Sequence, residues 1–257
     1  MTYFPNTNEA TPLIVVGAQR SGTRFITNVL NSVQGITIQN EIPDPIIVKA
    51  FKTLEKCDNM YLSDSRKYIS EHWISKRHEA MFSLWANISK GKKKNVSSDC
   101  VYYGYKTPFH EHYFDFYNSF FDPVRPKYVC CVRFFLDHYF SVNARWPDVS
   151  IIRVARRYTR SLRQLRYMKE TRPDDVLLFF LDDYKKTGVE YLREKIFEPL
   201  GLEDVSPAIK MAKQGPANAS ANLGLKKRKT ISPVQSLALK IYHHPFSEFE
   251  SLHHDFG

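Results

Sequence analysis

Five short apolar runs punctuate the chain: Leu13–Val16, Ile36–Gln39, Val101–Tyr105, Tyr128–Val132 and Val176–Leu181. They are rich in β-branched and aromatic residues, which predicts short strands buried on both faces. Between them lie segments with helical spacing. The clearest is Ile151 to Met168, where Ile151, Ala155, Tyr158, Leu162 and Leu165 form a stripe at i, i+4, i+7, i+11 and i+14. Val189 to Phe197, closed by Pro199 and Gly201, reads as a second helix, and Pro233 to Tyr242 as a third. Strands alternating with helices predict an α/β fold: a single domain with a central, mostly parallel sheet flanked by helices. Residues 1–257 are read as one domain, with a polar tail over 1–11 and a C-terminal extension over 204–257. The last residues, His253 to Gly257, are expected to form a surface tail. In such sheets ligands bind at the carboxyl ends of the strands, and the polar motifs fall there.

The first strand runs into Gly17-Ala18-Gln19-Arg20-Ser21-Gly22, and Phe25, Ile26, Val29 and Leu30 follow at helical spacing. Strand, glycine-bounded loop and helix make a phosphate cradle, because N–H groups and the dipole at a helix N-terminus both favour an anion. The G-x-x-x-x-G spacing is that of a Walker loop, which continues with Lys and Ser/Thr to reach the β/γ-phosphates and magnesium. Here those positions are Thr23 and Arg24, and the cation sits inside the loop at Arg20. N–H groups near Ser21, Gly22 and Thr23, the hydroxyls of Ser21 and Thr23, and the Arg20 guanidinium suit one phosphate. A second set follows the run Tyr128–Val132, which ends on Arg133, with Asp137, His138 and Ser141 beyond. A helix starting there lets Arg133 and Ser141 converge on one anion.

Together these two sets resemble the sulfotransferase family that uses 3′-phosphoadenylyl sulfate (PAPS). Two further segments agree with the resemblance. Gly104-Tyr105-Lys106-Thr107-Pro108 looks like the family's central Lys-Thr-Pro segment. Arg172 to Asp183, followed by Ile196 to Leu202, is similar to its late strand and the helix ending after it. The resemblance spans Pro12 to about Glu203 and implies a P-loop-like nucleotide fold, PAPS as donor, 3′,5′-adenosine bisphosphate (PAP) as product and no metal. It implies that Gly17, Gln19, Arg20, Ser21, Gly22, Thr23 and Arg24 hold the 5′-phosphosulfate, and that Arg133 and Ser141 hold the 3′-phosphate. Arg20 is implied on the bridging and 5′-phosphate oxygens, and Lys106 near the sulfuryl group or orienting the acceptor. Glu41, after the second strand, resembles the catalytic glutamate of some members; His110 is the second candidate base. Pro108 stands where other members carry a histidine, and no Arg-Lys-Gly segment follows. Lys227 and Arg228, in the run Lys226 to Lys229, are the candidates for that missing 3′-phosphate contact.

The formal net charge of +10 points to an anionic partner. Four cysteines without a C-x-x-C pair fit a reducing compartment, with Cys130 and Cys131 as buried thiols, and no zinc-ligand spacing is present. No stretch reads as a signal peptide or a membrane span, so the expectation is a cytoplasmic protein with no membrane partner. A kinase or other P-loop NTPase fits less well, since the Walker lysine is missing. A nucleic-acid-binding protein fits less well too, since no recognition motif is present. The expected acceptor is a small molecule or a sugar, held chiefly by Asn40 to Asp99 and the C-terminal third. Arg153, Arg156, Arg157, Arg160 and Arg163 recur at helical spacing opposite the apolar stripe, as a solvated face, an anionic-acceptor groove or a nucleic-acid surface.

Overall fold

The computed structural model describes residues 10–63, 66–89, 99–215, 230–242 and 244–257. Lys227, Arg228 and the basic stretch 90–94 lie outside the described residues. Five strands form one sheet: β1 (Thr11–Gly17), β2 (Ile36–Gln39), β3 (Tyr102–Lys106), β4 (Lys127–Val132) and β5 (Val176–Phe180). All strand pairs are parallel and the order is β2-β3-β1-β4-β5. The strands are nearly continuous in burial, as expected when helices cover both faces of a sheet. Leu181, expected to close the last strand, instead opens a helix. Asp182 and Asp183 lie in that helix's first turn, where carboxylates are favoured by the helix dipole.

Eleven α-helices connect and cover the described strands: α1 (Thr23–Leu30), α2 (Asp44–Leu62), α3 (Lys67–Ile88), α4 (Phe114–Phe120), α5 (Phe135–Arg145), α6 (Ile151–Thr171), α7 (Leu181–Thr187), α8 (Val189–Leu192), α9 (Ser206–Lys213), α10 (Pro233–Tyr242) and α11 (Pro245–Phe256). The predicted stripe of α6 is buried throughout. Ser150 caps its N-terminus, its hydroxyl accepting from the Arg153 N–H at 3.2 Å. Cys130 and Cys131 are buried free thiols in β4, and burial pushes both above the ordinary thiol value.

Two glycines are fixed by close backbone approach. A Cβ on Gly104 in β3 would stand 1.6 Å from the Leu13 carbonyl oxygen of β1, and one on Gly17 would stand 2.3 Å from that of Cys131. Gly17 also has φ +127°, a region that side chains rarely adopt.

The C-terminus departs from expectation. His253 to Phe256 are the end of α11, which packs along α6. Leu252 is fully buried, Arg166 pairs with Asp255 at 2.6 Å, and His253 meets Asp183 at 2.6 Å. Leu252 and Phe249 supply the apolar face that turns this sequence inward, a pattern hidden by the polar residues that surround it.

Candidate active site

Four of the residues singled out for chemistry lie at or just beyond a strand's carboxyl end. Arg20 follows β1, Glu41 follows β2, Lys106 ends β3 and Arg133 follows β4. The sheet order puts β1 between β3 and β4, so the loop after β1 stands between the Lys106 and Arg133 positions.

The loop itself is strained and tightly held. Arg20 has φ +69° and Gly22 φ +110°, a cost the surroundings must over-determine. Arg20 Nε donates to Ser141 Oγ of α5 at 3.0 Å, and Arg133 donates to the Arg20 carbonyl at 3.2 Å. Ser21 is turned inward: its hydroxyl donates to the Ala18 carbonyl at 2.7 Å, and its N–H donates to the same oxygen at 3.2 Å. Both bonds close the loop on itself. The first-turn N–H groups of α1, from Thr23 onward, have no acceptor within their own helix. Thr23 is buried and Arg24 is exposed.

The environment is strongly cationic. Burial, then Arg133 and Arg145, lower the Arg20 pKa, and burial lowers that of Arg133. The Arg133 Nε is buried without a partner.

On the other side of β1, Lys106 Nζ and Glu41 Oε1 are 2.5 Å apart, with the lysine side chain 6% exposed and the glutamate 44%. Thr107 builds this pair. Its hydroxyl accepts from the Ile42 N–H at 2.9 Å, and its own N–H donates to the Val15 carbonyl at 3.2 Å. Phe109 N–H donates to the Gly17 carbonyl at 3.0 Å, tying the Lys-Thr-Pro segment to the glycine loop. His110 lies elsewhere: it is 1% exposed and shares a 3.0 Å hydrogen bond with the Tyr105 hydroxyl, which in turn meets Tyr117. The structure does not pair His110 with Lys106; it joins an aromatic network.

No family model matches the chain, and no curated protein does. Solved structures do match. The sulfotransferase domain from the Synechococcus PCC 7002 olefin synthase aligns over 100% of this chain and 98% of its own, with a TM-score of 0.55 at 14% identity. The sulfotransferase domain from the curacin biosynthetic pathway covers 96% of this chain and 97% of its own, at 0.51 and 14%. Sulfotransferase STF9 from Mycobacterium avium covers 95% of this chain and 76% of its own, at 0.50 and 10%. The fold is the sulfotransferase fold.

Within the sulfotransferase fold, three supporting residues have a role that the sequence reading did not assign them. The Tyr158 hydroxyl of α6 donates to the Arg133 carbonyl at 2.6 Å, and Asp182 accepts from the Phe134 N–H at 2.5 Å. Together they fix the backbone on which Arg133 is mounted. His138 is the third. It is 2% exposed, its Nδ1 has no partner, and burial with the charges of Arg133 and Arg20 lowers its pKa to about 3. Its place three residues before Ser141 was the available signal. A neutral imidazole therefore stands among the arginines.

A cavity of about 300 Å³ opens at the loop, bounded by Gln19, Phe109, His138, Val142, Trp146 and Arg157 among others. Its described walls come from the glycine loop, the turn after β3, α5 and α6. The described residues of 40–99, expected with the C-terminal third to hold the acceptor, include α2 and α3 and contribute no wall of this cavity. Phe51, Phe82 and Trp85 there are buried in the core, because their rings are consumed by packing. No cluster of candidate metal ligands occurs among the described residues, and no described helix is long and apolar enough to cross a membrane.

Proposed function

We propose that this protein transfers the sulfuryl group of PAPS to a hydroxyl or amine of a small-molecule or sugar acceptor, releasing PAP. The observation that carries the reading is the Arg20–Ser141 hydrogen bond across 121 residues. It joins the glycine loop to the helix after Arg133, so that one anion-binding surface is built from the two motifs of the resemblance. The similarity of fold to sulfotransferases supports the same class.

The residues fit such a donor. Arg20 and Arg133 are adjoining cations, the Arg133 Nε is buried without a partner, and the α1 N-terminus adds backbone N–H groups. PAPS, when bound, supplies the sulfuryl group and a phosphate leaving group. Arg20 neutralises charge on the departing 5′-phosphate, and Arg133 with Ser141 holds the 3′-phosphate. Glu41 takes the acceptor proton, and Lys106, in contact with Glu41, orients the carboxylate and faces the transferring group. Charge stabilisation and in-line positioning are the physical demands of this reaction class, as in phosphoryl transfer. Cations on the chain meet them without a Walker magnesium site. With His110 buried in the aromatic network, the base role falls to Glu41.

A thermal-shift comparison tests the reading. PAP at ~100 times its Kd should stabilise the protein by about 2.7 kcal/mol, and ATP with magnesium by less. Greater stabilisation by ATP-magnesium would refute the sulfotransferase reading in favour of a nucleotide kinase.

A further inference from the structure

α6 presents two arginines to the cavity, Arg153 and Arg157. Neither makes an ion pair among the described residues. Arg156 and Arg160 on the same helix also make no ion pair among the described residues, whereas farther along it Arg163 pairs with Glu248 at 2.6 Å and Arg166 with Asp255 at 2.6 Å. The charge stripe is thus neutralised by α11 at one end and left uncompensated at the cavity end.

The uncompensated end is also shaped. The Arg157 guanidinium carbon lies 5.6 Å from the Phe109 ring centroid, a cation–π contact that orients its donors. Phe109 is itself fixed, with φ +65° and its N–H on the Gly17 carbonyl. The remaining described walls are Val142, Trp146, Val149 and Val154, apolar and aromatic, with the neutral His138 and Gln19 toward the loop. An apolar cavity with a few convergent polar groups is the usual form of a small-ligand site. Here the polar groups are two guanidiniums, whose forked donors match an oxyanion in the plane.

We infer that this cavity binds an amphiphilic organic anion, its apolar or planar body against Trp146 and the valines and its carboxylate or phosphate on Arg153 and Arg157. Taken with the proposed sulfuryl transfer, on which this step rests, the anion is the acceptor, and Gln19 brings its free hydroxyl toward Arg20. Arg153 and Arg157 then determine acceptor class and take no part in the transfer itself.

The test is isothermal titration of the full chain with three naphthalene probes: 6-hydroxy-2-naphthoate, its neutral primary amide, and 2-naphthyl phosphate. The expected result is that both anions bind at least ~10-fold more tightly than the amide. In the Arg153→Ala/Arg157→Ala variant that preference disappears, while PAP affinity changes by less than about twofold. Raising KCl from 50 to 500 mM should erode the preference in the wild type, a readout that needs no variant. Equal affinity for naphthoate and amide in the wild type overturns the inference, as does a preference that survives in the double variant. Competitive displacement of the naphthoate by PAP also overturns it, since the cavity then belongs to the donor. If PAP does not bind at all, the sulfotransferase reading fails, and the naphthoate–amide comparison still decides the cavity's chemistry.

Discussion

Replacing His138 with asparagine should flatten the pH dependence of stability between pH 7 and pH 5. In the folded protein this imidazole is fully enclosed, and burial, then Arg133 and Arg20, lower its pKa from 6.5 to about 3. In the unfolded chain it titrates near 6.5. Between those two values the unfolded state binds a proton that the folded state refuses. The stability contributed by the neutral imidazole is complete above pH 6.5 and is lost progressively as pH falls toward 3. Integrating that difference from pH 7 to pH 5 gives a loss of about 2 kcal/mol from this one residue. The result depends on the unfolded value and hardly on the folded one, provided the latter stays below ~4.5. For a chain of this size it corresponds to a fall of ~4–8 °C in Tm. His78, lowered to about 4 by burial and Arg77, acts in the same direction and persists in the variant. The informative quantity is therefore the difference between the two proteins. Urea unfolding of wild type and His138→Asn at pH 7, 6 and 5 measures it. Any packing loss shifts the variant equally at every pH and cancels. If the variant loses as much stability as the wild type on going to pH 5, His138 is not held neutral by its burial beside Arg133 and Arg20, and this description of its surroundings is wrong.

Three further outcomes follow from the geometry. Glu41→Gln should lower sulfuryl-transfer turnover by ~10²–10⁴ and leave PAP affinity unchanged by calorimetry; unchanged turnover would remove the glutamate from the base role. Arg133→Ala should erase the preference for PAP over AMP in a thermal-shift titration, and equal discrimination before and after would remove the 3′-phosphate from that residue. Gly104→Ala should cost at least about 3 kcal/mol in chemical unfolding, or abolish soluble expression, since its Cβ would meet the Leu13 carbonyl at 1.6 Å. A loss under 1 kcal/mol would contradict the β1–β3 register.

The sequence by itself determined the strands and the order of the motifs along the chain. Buried parallel strands are continuous apolar runs, and they carry that signal locally: Ile36–Gln39 is read to the residue, and the α6 stripe is buried as its spacing requires. The glycine loop is legible for the same reason, because its steric demands fall on consecutive residues. What only the tertiary structure decided are relations between distant segments. Ser21 and Ser141 look alike as hydroxyl donors, yet one closes its own loop on Ala18 and the other meets Arg20 from across the sheet. His110 is a candidate base in the sequence, and only the fold shows it buried against the Tyr105 hydroxyl while His138 is enclosed near Arg133 and Arg20. The arginines of α6 have one periodicity. Whether each is neutralised or left open depends on α11, a helix some 90 residues away that supplies Glu248 and Asp255 to one end of the stripe and nothing to the other. Charge compensation is a property of contacts, and no spacing along one segment records it.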